Sequence, residues 1–326
     1  MAATRDLALS IVVPVYRSES ILPRLVEEIE RAVAAAGYAD RFELVLVNDG
    51  SPDGSWGVIK SLATAHRFVK GINLMKNFGQ HNATMAGLNH AAGEVVVIMD
   101  DDLQHPPTAI GELVAAIHSG YDVCYTQYVG RKHALWKKLG SRFNDMLATW
   151  ILGKPRDLYL SSFKAMRRVV AAQVIKYDGP YAYVDGLILD VTRSITFVPI
   201  RHAERFEGEG GYGLKRSISL WLKMITSFSV LPLRVASLTG MLLAGFSAIA
   251  IVTIVINKLL YPQTSAGWSS LVALILLMGG LQLLCIGVIG EYLGRAYLKI
   301  NRKPQFVVRE MVGELQAGSH EQGRER

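Results

Sequence analysis

Two long stretches without a charged residue, close together in the C-terminal third of the chain, constrain its fold more than any other feature. They cover residues 235–257 and 268–290. Each is long enough to cross a bilayer as a helix, which takes about 20 residues, and Tyr261, Pro262 and Gly267 lie in the connection between them. The sequence therefore predicts a two-helix transmembrane hairpin. The alternative is a pair of helices buried in the core of a soluble protein.

The charges around this hairpin predict its orientation. Arg234 precedes the first stretch, and only Lys258 lies at the edge of the connection. Four basic residues follow the second stretch: Arg295, Lys299, Arg302 and Lys303. Because segments rich in Lys and Arg stay on the cytoplasmic side of a membrane, we expect both ends of the hairpin in the cytoplasm and the protein in the plasma (inner) membrane. The N-terminus lacks the apolar core of a signal peptide, which agrees with a cytoplasmic soluble part.

The residues just before the hairpin predict an amphipathic helix. Five large apolar residues recur there at spacings of four and three: Leu214, Ile218, Trp221, Ile225 and Phe228. This is the period of one helix face. Basic residues fall largely on the rest of the helix, which is typical of a helix lying in a membrane interface. A helix packed against a soluble domain shows the same period, so that interpretation stays open.

The first two thirds of the chain alternate between strand and helix patterns. The extended runs cover residues 9–15, 42–47, 69–74, 95–99 and 121–125. Apolar strands joined by helices indicate a mostly parallel sheet covered on both faces, and ligands of such sheets bind beyond the carboxyl ends of the strands. The sequence thus predicts a Rossmann-like α/β domain. The predicted division is a soluble domain at 1–212, an interfacial helix at 213–232, two transmembrane helices within 233–297 and a cytoplasmic tail at 298–326.

Three of these strand ends carry carboxylates. Glu19 follows the first strand, Asp49 the second, and Asp100, Asp101 and Asp102 the fourth. Like charges this close raise each other's pKa unless a cation lies among them, and Mg²⁺ or Mn²⁺ takes oxygen ligands that it shares with substrate phosphates. The three aspartates therefore predict a divalent-metal site. A solvated turn, or a helix cap at Asp102, is the alternative.

A weaker signal lies between the third strand and its helix. There Lys76 and Gly79 bracket a short turn that precedes a helix N-terminus, which favours an anion. A plain helix cap explains the turn equally well. The net charge of +7 is not arranged as a basic stripe interleaved with aromatic residues, so we expect no nucleic acid partner.

Taken in order, these motifs resemble the inverting family-two glycosyltransferases. The chain reads Val-Val-Pro-Val-Tyr at 12–16, Asn-Asp-Gly-Ser at 48–51, Lys-Asn-Phe-Gly at 76–79 and Met-Asp-Asp-Asp-Leu-Gln-His-Pro-Pro at 99–107. Its Gly-Glu-Tyr-Leu-Gly-Arg-Ala-Tyr at 290–297, after the second apolar stretch, is similar to the polyisoprenyl-phosphate glycosyltransferases. That group includes dolichol-phosphate mannose synthase, bactoprenol glucosyltransferases and the undecaprenyl-phosphate aminoarabinose transferase.

The resemblance implies a fold, a reaction and its partners. The fold is a GT-A nucleotide-binding domain followed by the interfacial helix and the hairpin. The reaction moves one sugar, with inversion and with Mg²⁺ or Mn²⁺, from a nucleotide-sugar to a polyisoprenyl phosphate such as undecaprenyl phosphate at the bilayer. A UDP-sugar is the expected donor, and relatives of this kind often form homo-oligomers.

The resemblance also implies roles for individual residues. The positions that match nucleoside contacts are Pro14, Tyr16, Glu19, Asp49 and Asp100. Asp102 matches the metal ligand of the family's Asp-x-Asp, and Asp101 occupies its variable middle position. The residues expected near the phosphates or the acceptor are Lys76, Gln104, Arg205 and Lys215.

Three departures from the family pattern concern the phosphates and the base. Relatives usually have Arg where this chain has Lys76, and Gly-x-Ser-Lys-Tyr where it reads Gly-Glu-Gly-Gly-Tyr at 208–212. The candidate base is Asp157, although its spacing to Phe163 is wider than in relatives, and a loop carboxylate beside Arg156 is the alternative. A lipid phosphate has its second pKa near about 6, so it is already nucleophilic at neutral pH and needs no strong base.

Two other classes of protein share parts of this pattern. A processive polysaccharide synthase has the same nucleotide-binding half but needs more spans and a Gln-x-x-Arg-Trp sequence, which the chain lacks. A non-catalytic membrane scaffold on a degenerate transferase domain would tolerate the altered motifs, but the intact Asp-x-Asp argues against it. A nucleotidyltransferase would leave the hairpin unexplained.

Overall fold

The computed structural model describes residues 7–129, 158–179, 182–201, 231–261, 267–301 and 303–313. The chain divides into two compact units, residues 1–211 with 302–326 and residues 212–301. The first unit is built on one eight-stranded sheet with the order β7-β5-β6-β4-β1-β2-β3-β8. The strands are β1 Leu9–Val15, β2 Phe42–Asn48, β3 Val69–Leu74, β4 Val95–Ile98, β5 Val123–Val129, β6 Lys164–Arg167, β7 Ile195–Arg201 and β8 Val308–Val312.

The helices of this unit lie between the strands. They are α1 Leu22–Ala35, α2 Ser55–Ala65, α3 Gln80–His90, α4 Ile110–His118, α5 Arg168–Val174 and α6 Val184–Val191, with a 3₁₀ turn at Pro107–Ala109. In α1 the buried residues include Leu22, Leu25, Val26, Ile29 and Val33, which is the spacing of one helix face. Helices of this kind bury an apolar stripe against the sheet and hold it in place.

The central four strands, β4, β1, β2 and β3, run parallel. Every residue of β1 and β2 is buried, because helices cover both faces of a parallel sheet. Strand β6 runs antiparallel between β4 and β5, and β7 is parallel to β5. The prediction of a mostly parallel α/β sheet is confirmed. The pairing of Val15 with Asn48 and of Val12 with Ile98 brings the ends of β1, β2 and β4 to one edge.

The last strand, β8, was not expected from the sequence, which indicates only a tail after residue 298. Strand β8 pairs antiparallel with β3. The Met75 amide donates to the Val307 carbonyl at 2.9 Å, and the indole of Trp56 donates to Glu310 Oε2 at 2.9 Å. The chain beyond the apolar helices therefore returns to the sheet and covers the edge of β3, which would otherwise be exposed.

The second unit contains two long apolar helices, α7 Leu231–Leu260 and α8 Trp268–Ile300. Within them, Leu233–Asn257 and Leu277–Ile300 are long and apolar enough to cross a membrane. The second candidate span lies closer to the C-terminus than the expected 268–290. The two helices contact each other, and their large apolar side chains are mostly exposed, as in helices that face lipid. Residues 213–230 of the predicted amphipathic helix lie outside the described residues.

Candidate active site

Four loops meet at the carboxyl edge of the parallel strands. We call them loop 1 (residues 16–21, after β1), loop 2 (49–54, after β2), loop 3 (75–79, after β3) and loop 4 (99–106, after β4). Loops 1, 2 and 4 begin side by side because the Asp49 amide donates to Val15 O at 3.0 Å and the Met99 amide to Val12 O at 3.2 Å. This edge carries most of the residues singled out from the sequence: Tyr16, Glu19, Asp49, Lys76, Asp100, Asp102 and Gln104.

Asp49 ties loop 2 to loop 3. Its Oδ1 accepts the Phe78 amide at 2.7 Å and its Oδ2 accepts the Gly79 amide at 2.9 Å. Burial raises the pKa of this carboxyl, and the two amide donors oppose that shift. Gly50 follows at φ 61° and packs against the backbone of Lys76, so that a Cβ there would lie 2.4 Å from the Lys76 carbonyl carbon. The Asn-Asp-Gly turn thereby fixes the position of loop 3.

The exposed side chain of Lys76 lies at the start of this fixed loop. Its Nζ is 5.2 Å from the centre of the Phe78 ring. Gly79 precedes α3 with φ 91°, a conformation that glycine adopts without strain. Lys76 therefore presents a positive charge on the loop that leads into α3, whose N-terminus also favours an anion.

Loop 1 combines an exposed aromatic ring with a carboxylate that is already bonded. Tyr16 is 42% exposed, and the Arg17 guanidinium lies 5.5 Å from the centre of its ring. Glu19 Oε2 accepts the Gly54 amide of loop 2 at 2.8 Å. Pro14, also predicted as a nucleoside contact, lies within β1 opposite Val47. The ring of Tyr16 is thus an exposed aromatic surface on this loop.

The three aspartates of loop 4 have different surroundings. Asp100 accepts Gln80 Nε2 and Ser162 Oγ, each at 2.5 Å and on different oxygens. Asp101 Oδ2 accepts the Tyr16 amide at 3.1 Å and the Ser18 hydroxyl. These two carboxylates are therefore engaged by donors from other segments.

Asp102 has the fewest hydrogen bonds of the three among the described residues. Among the described residues, its only hydrogen bond is to the Gln104 amide, which lies 3.1 Å from Oδ1 and belongs to the same loop. Burial raises the pKa of Asp100, and the charge of Asp102 raises it further. Asp102 lies two residues after Asp100 on the same loop. Burial likewise raises the pKa of Asp101, to about 6.

These donors suit a hard divalent cation. Asp102, with Asp100 beside it, offers carboxylate oxygens, which such ions prefer. Across the described ranges, no three His, Cys, Asp or Glu side chains form a complete metal site. An ion at this edge would take one or two protein carboxylates and complete its coordination with phosphate oxygens and water.

A buried polar cluster behind loop 4 was missed from the sequence. The Lys164 ammonium pairs with Asp185 Oδ1, which also accepts the Tyr125 hydroxyl at 3.0 Å. Lys164 is 3% exposed and Asp185 is 7% exposed. The His81 ring lies 5.2 Å from the Tyr183 ring, and burial lowers the pKa of that imidazole. The positions come from four separate segments, so no local motif announces them.

Three residues singled out from the sequence lie outside the described residues. They are the candidate base Asp157 and the candidate phosphate ligands Arg205 and Lys215. Their roles remain predictions. Ser162 and Gln80 are additions that the motifs did not suggest, since each bonds Asp100 from a segment distant in sequence.

Comparison with known proteins shows the family to which the chain belongs. The family model described as glycosyl transferase family 2 matches residues 10–174. The chain is 33% identical, over 93% of its length and 93% of theirs, to the undecaprenyl-phosphate 4-deoxy-4-formamido-L-arabinose transferases of Salmonella paratyphi B and Salmonella newport.

A solved structure shows the same fold. The crystal structure of glucosyl-3-phosphoglycerate synthase from Mycobacterium tuberculosis, in complex with Mn²⁺, uridine diphosphate and phosphoglyceric acid, is 18% identical and superposes with a TM-score of 0.51. The superposition covers 68% of this chain and 76% of the synthase chain. The fold is therefore GT-A, as the resemblance implied. The chain is an enzyme that belongs to glycosyl transferase family 2 and, within it, to the polyisoprenyl-phosphate glycosyltransferases.

Proposed function

We propose that this glycosyltransferase moves one sugar from a UDP-sugar to undecaprenyl phosphate, at the cytoplasmic face of the inner membrane. The observation that carries the proposal is the match over 93% of both chains to relatives named for undecaprenyl phosphate. A match of that length includes the two apolar helices as well as the sheet. The acceptor is a membrane lipid, so the shared helices give a reason for the transferase domain to be anchored where its acceptor lies.

The residues at the strand ends suit the two halves of a nucleotide-sugar. The exposed ring of Tyr16 can stack on a base, since aromatic faces pair with one another, and Pro14, Glu19 and Asp49 would shape the nucleoside site around it. Lys76 would face the diphosphate from loop 3. Arg205, Lys215 and Gln104 are the further groups expected near the phosphates or the lipid head.

A divalent ion, Mg²⁺ or Mn²⁺, would be held by Asp102 with Asp100 beside it. When bound there, it would neutralise charge on the departing diphosphate. The protein's own part is to place the donor so that its anomeric carbon faces the acceptor. Because Asp100 is held by Gln80 and Ser162, its carboxylate stays oriented before any substrate arrives.

The transfer itself is a single displacement. An oxygen of the lipid phosphate attacks the anomeric carbon, the bond from that carbon to the nucleoside diphosphate breaks, and the diphosphate leaves with the electron pair. The configuration at the carbon is inverted. The attacking phosphate monoester is mostly dianionic at neutral pH, so positioning contributes more than proton removal, and Asp157 would act as an orienting carboxylate or weak base.

The experiment uses the full chain in liposomes that contain undecaprenyl phosphate. Labelled UDP- and GDP-sugars are added one at a time with Mg²⁺, Mn²⁺ or EDTA, and label in the lipid phase is counted. We expect transfer from one UDP-sugar, only with metal, and none to undecaprenol, which lacks the phosphate. Asp102→Asn removes a charged ligand worth several kcal/mol, so we expect at least about a hundredfold loss of rate.

A matched control is Asp40→Asn, because Asp40 is an exposed carboxylate between α1 and β2. This variant should transfer sugar at the wild-type rate. Full activity in EDTA would contradict the metal site, transfer from a GDP-sugar alone would contradict the donor, and equal transfer to undecaprenol would contradict the acceptor.

A further inference from the structure

Four successive amides of loop 1 donate to side chains instead of to backbone carbonyls. The pairs are Tyr16 N to Asp101 Oδ2, Arg17 N to Ser51 Oγ, Ser18 N to Ser55 Oγ and Glu19 N to Asp53 Oδ2, at 3.1, 2.6, 3.1 and 3.3 Å. Three of the four acceptors lie in loop 2 or at the first residue of α2. Loop 1 has no regular secondary structure up to residue 20, so these side chains decide its conformation.

Asp101 is the one acceptor in this set that comes from loop 4. A single carboxylate oxygen, Oδ2, takes both the Tyr16 amide and the Ser18 hydroxyl. The other three acceptors hold loop 1 against the β2 side of the sheet. Asp101 therefore makes the connection between the loop that carries Tyr16 and the loop that carries Asp100 and Asp102.

Backbone strain is concentrated in the same two loops. Among the described residues, the non-glycine residues with positive φ are Arg17 at 59° and Leu103 at 54°. Such conformations persist only where the surrounding structure holds them, and they concentrate at functional sites. Arg17 lies between Tyr16 and Ser18, the two donors to Asp101. Leu103 lies two residues after Asp101. The hydrogen bonds of Asp101 thus join two strained turns.

We propose that Asp101 is a positioning residue that fixes Tyr16 relative to Asp100 and Asp102, so that one rigid unit binds the nucleoside and the diphosphate of the donor. The proposal rests on the proposed nucleotide-sugar function. Asp101 acts through its oxygen as a hydrogen-bond acceptor for loop 1, and it does not touch the metal. This gives the middle aspartate of the Asp-Asp-Asp run a role different from that of its two neighbours.

The alternative is that Asp101 is a third carboxylate ligand of the metal. The two roles respond differently to asparagine. An amide oxygen still accepts the Tyr16 amide and the Ser18 hydroxyl, so Asp101→Asn keeps the connection between the loops. The same change removes the negative charge on which a carboxylate ligand of a divalent ion depends. Asp101→Ala removes the acceptor altogether.

The kinetic experiment compares Asp101→Asn, Asp101→Ala and Ser18→Ala with Asp102→Asn, all in the full chain in liposomes. Hydrogen bonds to a charged group each contribute enough that losing one costs about tenfold. We expect Asp101→Ala to raise the KM for the donor sugar nucleotide about tenfold or more, with a smaller change in kcat and in the metal concentration for half-maximal rate. Asp101→Asn should stay within about threefold of wild type, and Ser18→Ala should fall between them.

Hydrogen exchange tests the connection without relying on activity. The peptide that contains residues 16–19 should exchange faster in Asp101→Ala than in wild type and at the wild-type rate in Asp101→Asn, while a peptide from α1 should be unchanged. The exposed-site variant Asp40→Ala is the matched control for both measurements. If no donor reacts with wild type, the proposed function fails, and the exchange rates still decide whether Asp101 holds loop 1.

Three results would overturn the proposal. The first is an Asp101→Asn variant that is as inactive as Asp102→Asn, which would make Asp101 a metal ligand. The second is unchanged exchange of residues 16–19 in Asp101→Ala. The third is faster exchange of that peptide with no change in the KM for the donor, since loop 1 would then be held for stability alone.

Discussion

The strand-end loops and the buried cluster behind them use polar side chains in opposite ways. In the loops, carboxylates accept backbone amides as well as side-chain donors: Asp49 accepts two amides of loop 3, and Asp101 accepts one of loop 1. In the cluster, side chains bond to each other, with Lys164 paired to Asp185 and Tyr125 donating to the same oxygen. The first arrangement sets loop conformation, and the second joins elements of the fold.

This difference predicts which property each region controls. A side chain that accepts from backbone can be replaced by another acceptor, and the consequence of its loss is a displaced loop. A buried charge that loses its partner keeps its desolvation cost without compensation. We therefore expect changes in the cluster to affect mainly the free energy of unfolding, and changes in the loops to affect mainly the binding of the donor.

The largest effect is expected from separating the buried ion pair. Asp185→Ala leaves the Lys164 ammonium, 3% exposed, without its carboxylate. Removing one partner of such a pair typically lowers the free energy of unfolding by about 3–5 kcal/mol. The measurement is pulse proteolysis of the full chain in detergent across a urea series.

The double variant Lys164→Met with Asp185→Leu serves as the control for that prediction. It replaces both charges by apolar groups of similar volume, which is often neutral or stabilising. We expect it to recover part of the lost stability, because the buried Tyr125 hydroxyl still loses its acceptor. A double variant as unstable as Asp185→Ala would show that the contribution of the pair is not electrostatic, and the contrast between the two regions would then fail.

The pH dependence of stability separates a loop carboxylate from a paired one. The pKa of Asp101 is about 6 in the folded chain, against an ordinary value of 3.8. Between these values the folded state binds more protons than the unfolded state, so stability falls as pH rises. Well above pH 6 and well below pH 3.8 the carboxyl has the same charge in both states, and the slope from this group vanishes.

The test compares wild type with Asp101→Asn, which cannot titrate. Relative to that variant, wild type should lose at most about 3 kcal/mol between pH 4 and pH 6, and nothing further from pH 6.5 to pH 8. The same pulse proteolysis measures it at each pH. If wild type instead gained free energy of unfolding relative to Asp101→Asn as the pH rises, the folded chain would stabilise the ionised carboxylate.

A smaller effect is expected where the backbone of loop 2 packs against the backbone of loop 3. Gly50→Ala places a Cβ 2.4 Å from the backbone carbon of Lys76 and forces alanine to φ 61°. A left-handed conformation costs an L-residue about 1–2 kcal/mol, so with the close approach we expect a loss of about 2 kcal/mol and weaker donor binding.

Gly37→Ala is the matched control for Gly50→Ala. Gly37 also has positive φ, at 84°, but nothing lies within 4 Å of its would-be Cβ. It should cost about 1 kcal/mol and leave donor binding unchanged. Equal effects of the two variants on the KM for the donor would show that the packing of Gly50 against loop 3 does not position Lys76.

The amino-acid sequence was sufficient to predict the strand-end loops but not the buried cluster, and the reason is physical. Asp49, Asp100 and Asp102 each lie shortly after the end of an apolar strand, so local order along the chain reveals them. The pair of Lys164 and Asp185 becomes visible only when β6 and α6 come together. Strand β8 is similar: Trp56 and Glu310 are 254 positions apart, and its five residues carry no alternation strong enough to predict a strand.

The smallest effect, at the edge of β8, tests whether burial and not charge makes the cluster important. Lys60 and Glu310 form an ion pair like that of Lys164 and Asp185, but at 4.0 Å and with side chains 48% and 46% exposed. Water screens such pairs, which contribute about 0–1 kcal/mol. Glu310→Gln keeps an acceptor for Trp56 and removes the charge, so we expect its free energy of unfolding to fall by less than about 1 kcal/mol. A double-mutant cycle of Lys60→Gln and Glu310→Gln should give a coupling energy between the two side chains that is smaller still. A loss as large as that of Asp185→Ala would mean that charge pairing stabilises this sheet wherever it occurs, whether water reaches the pair or not.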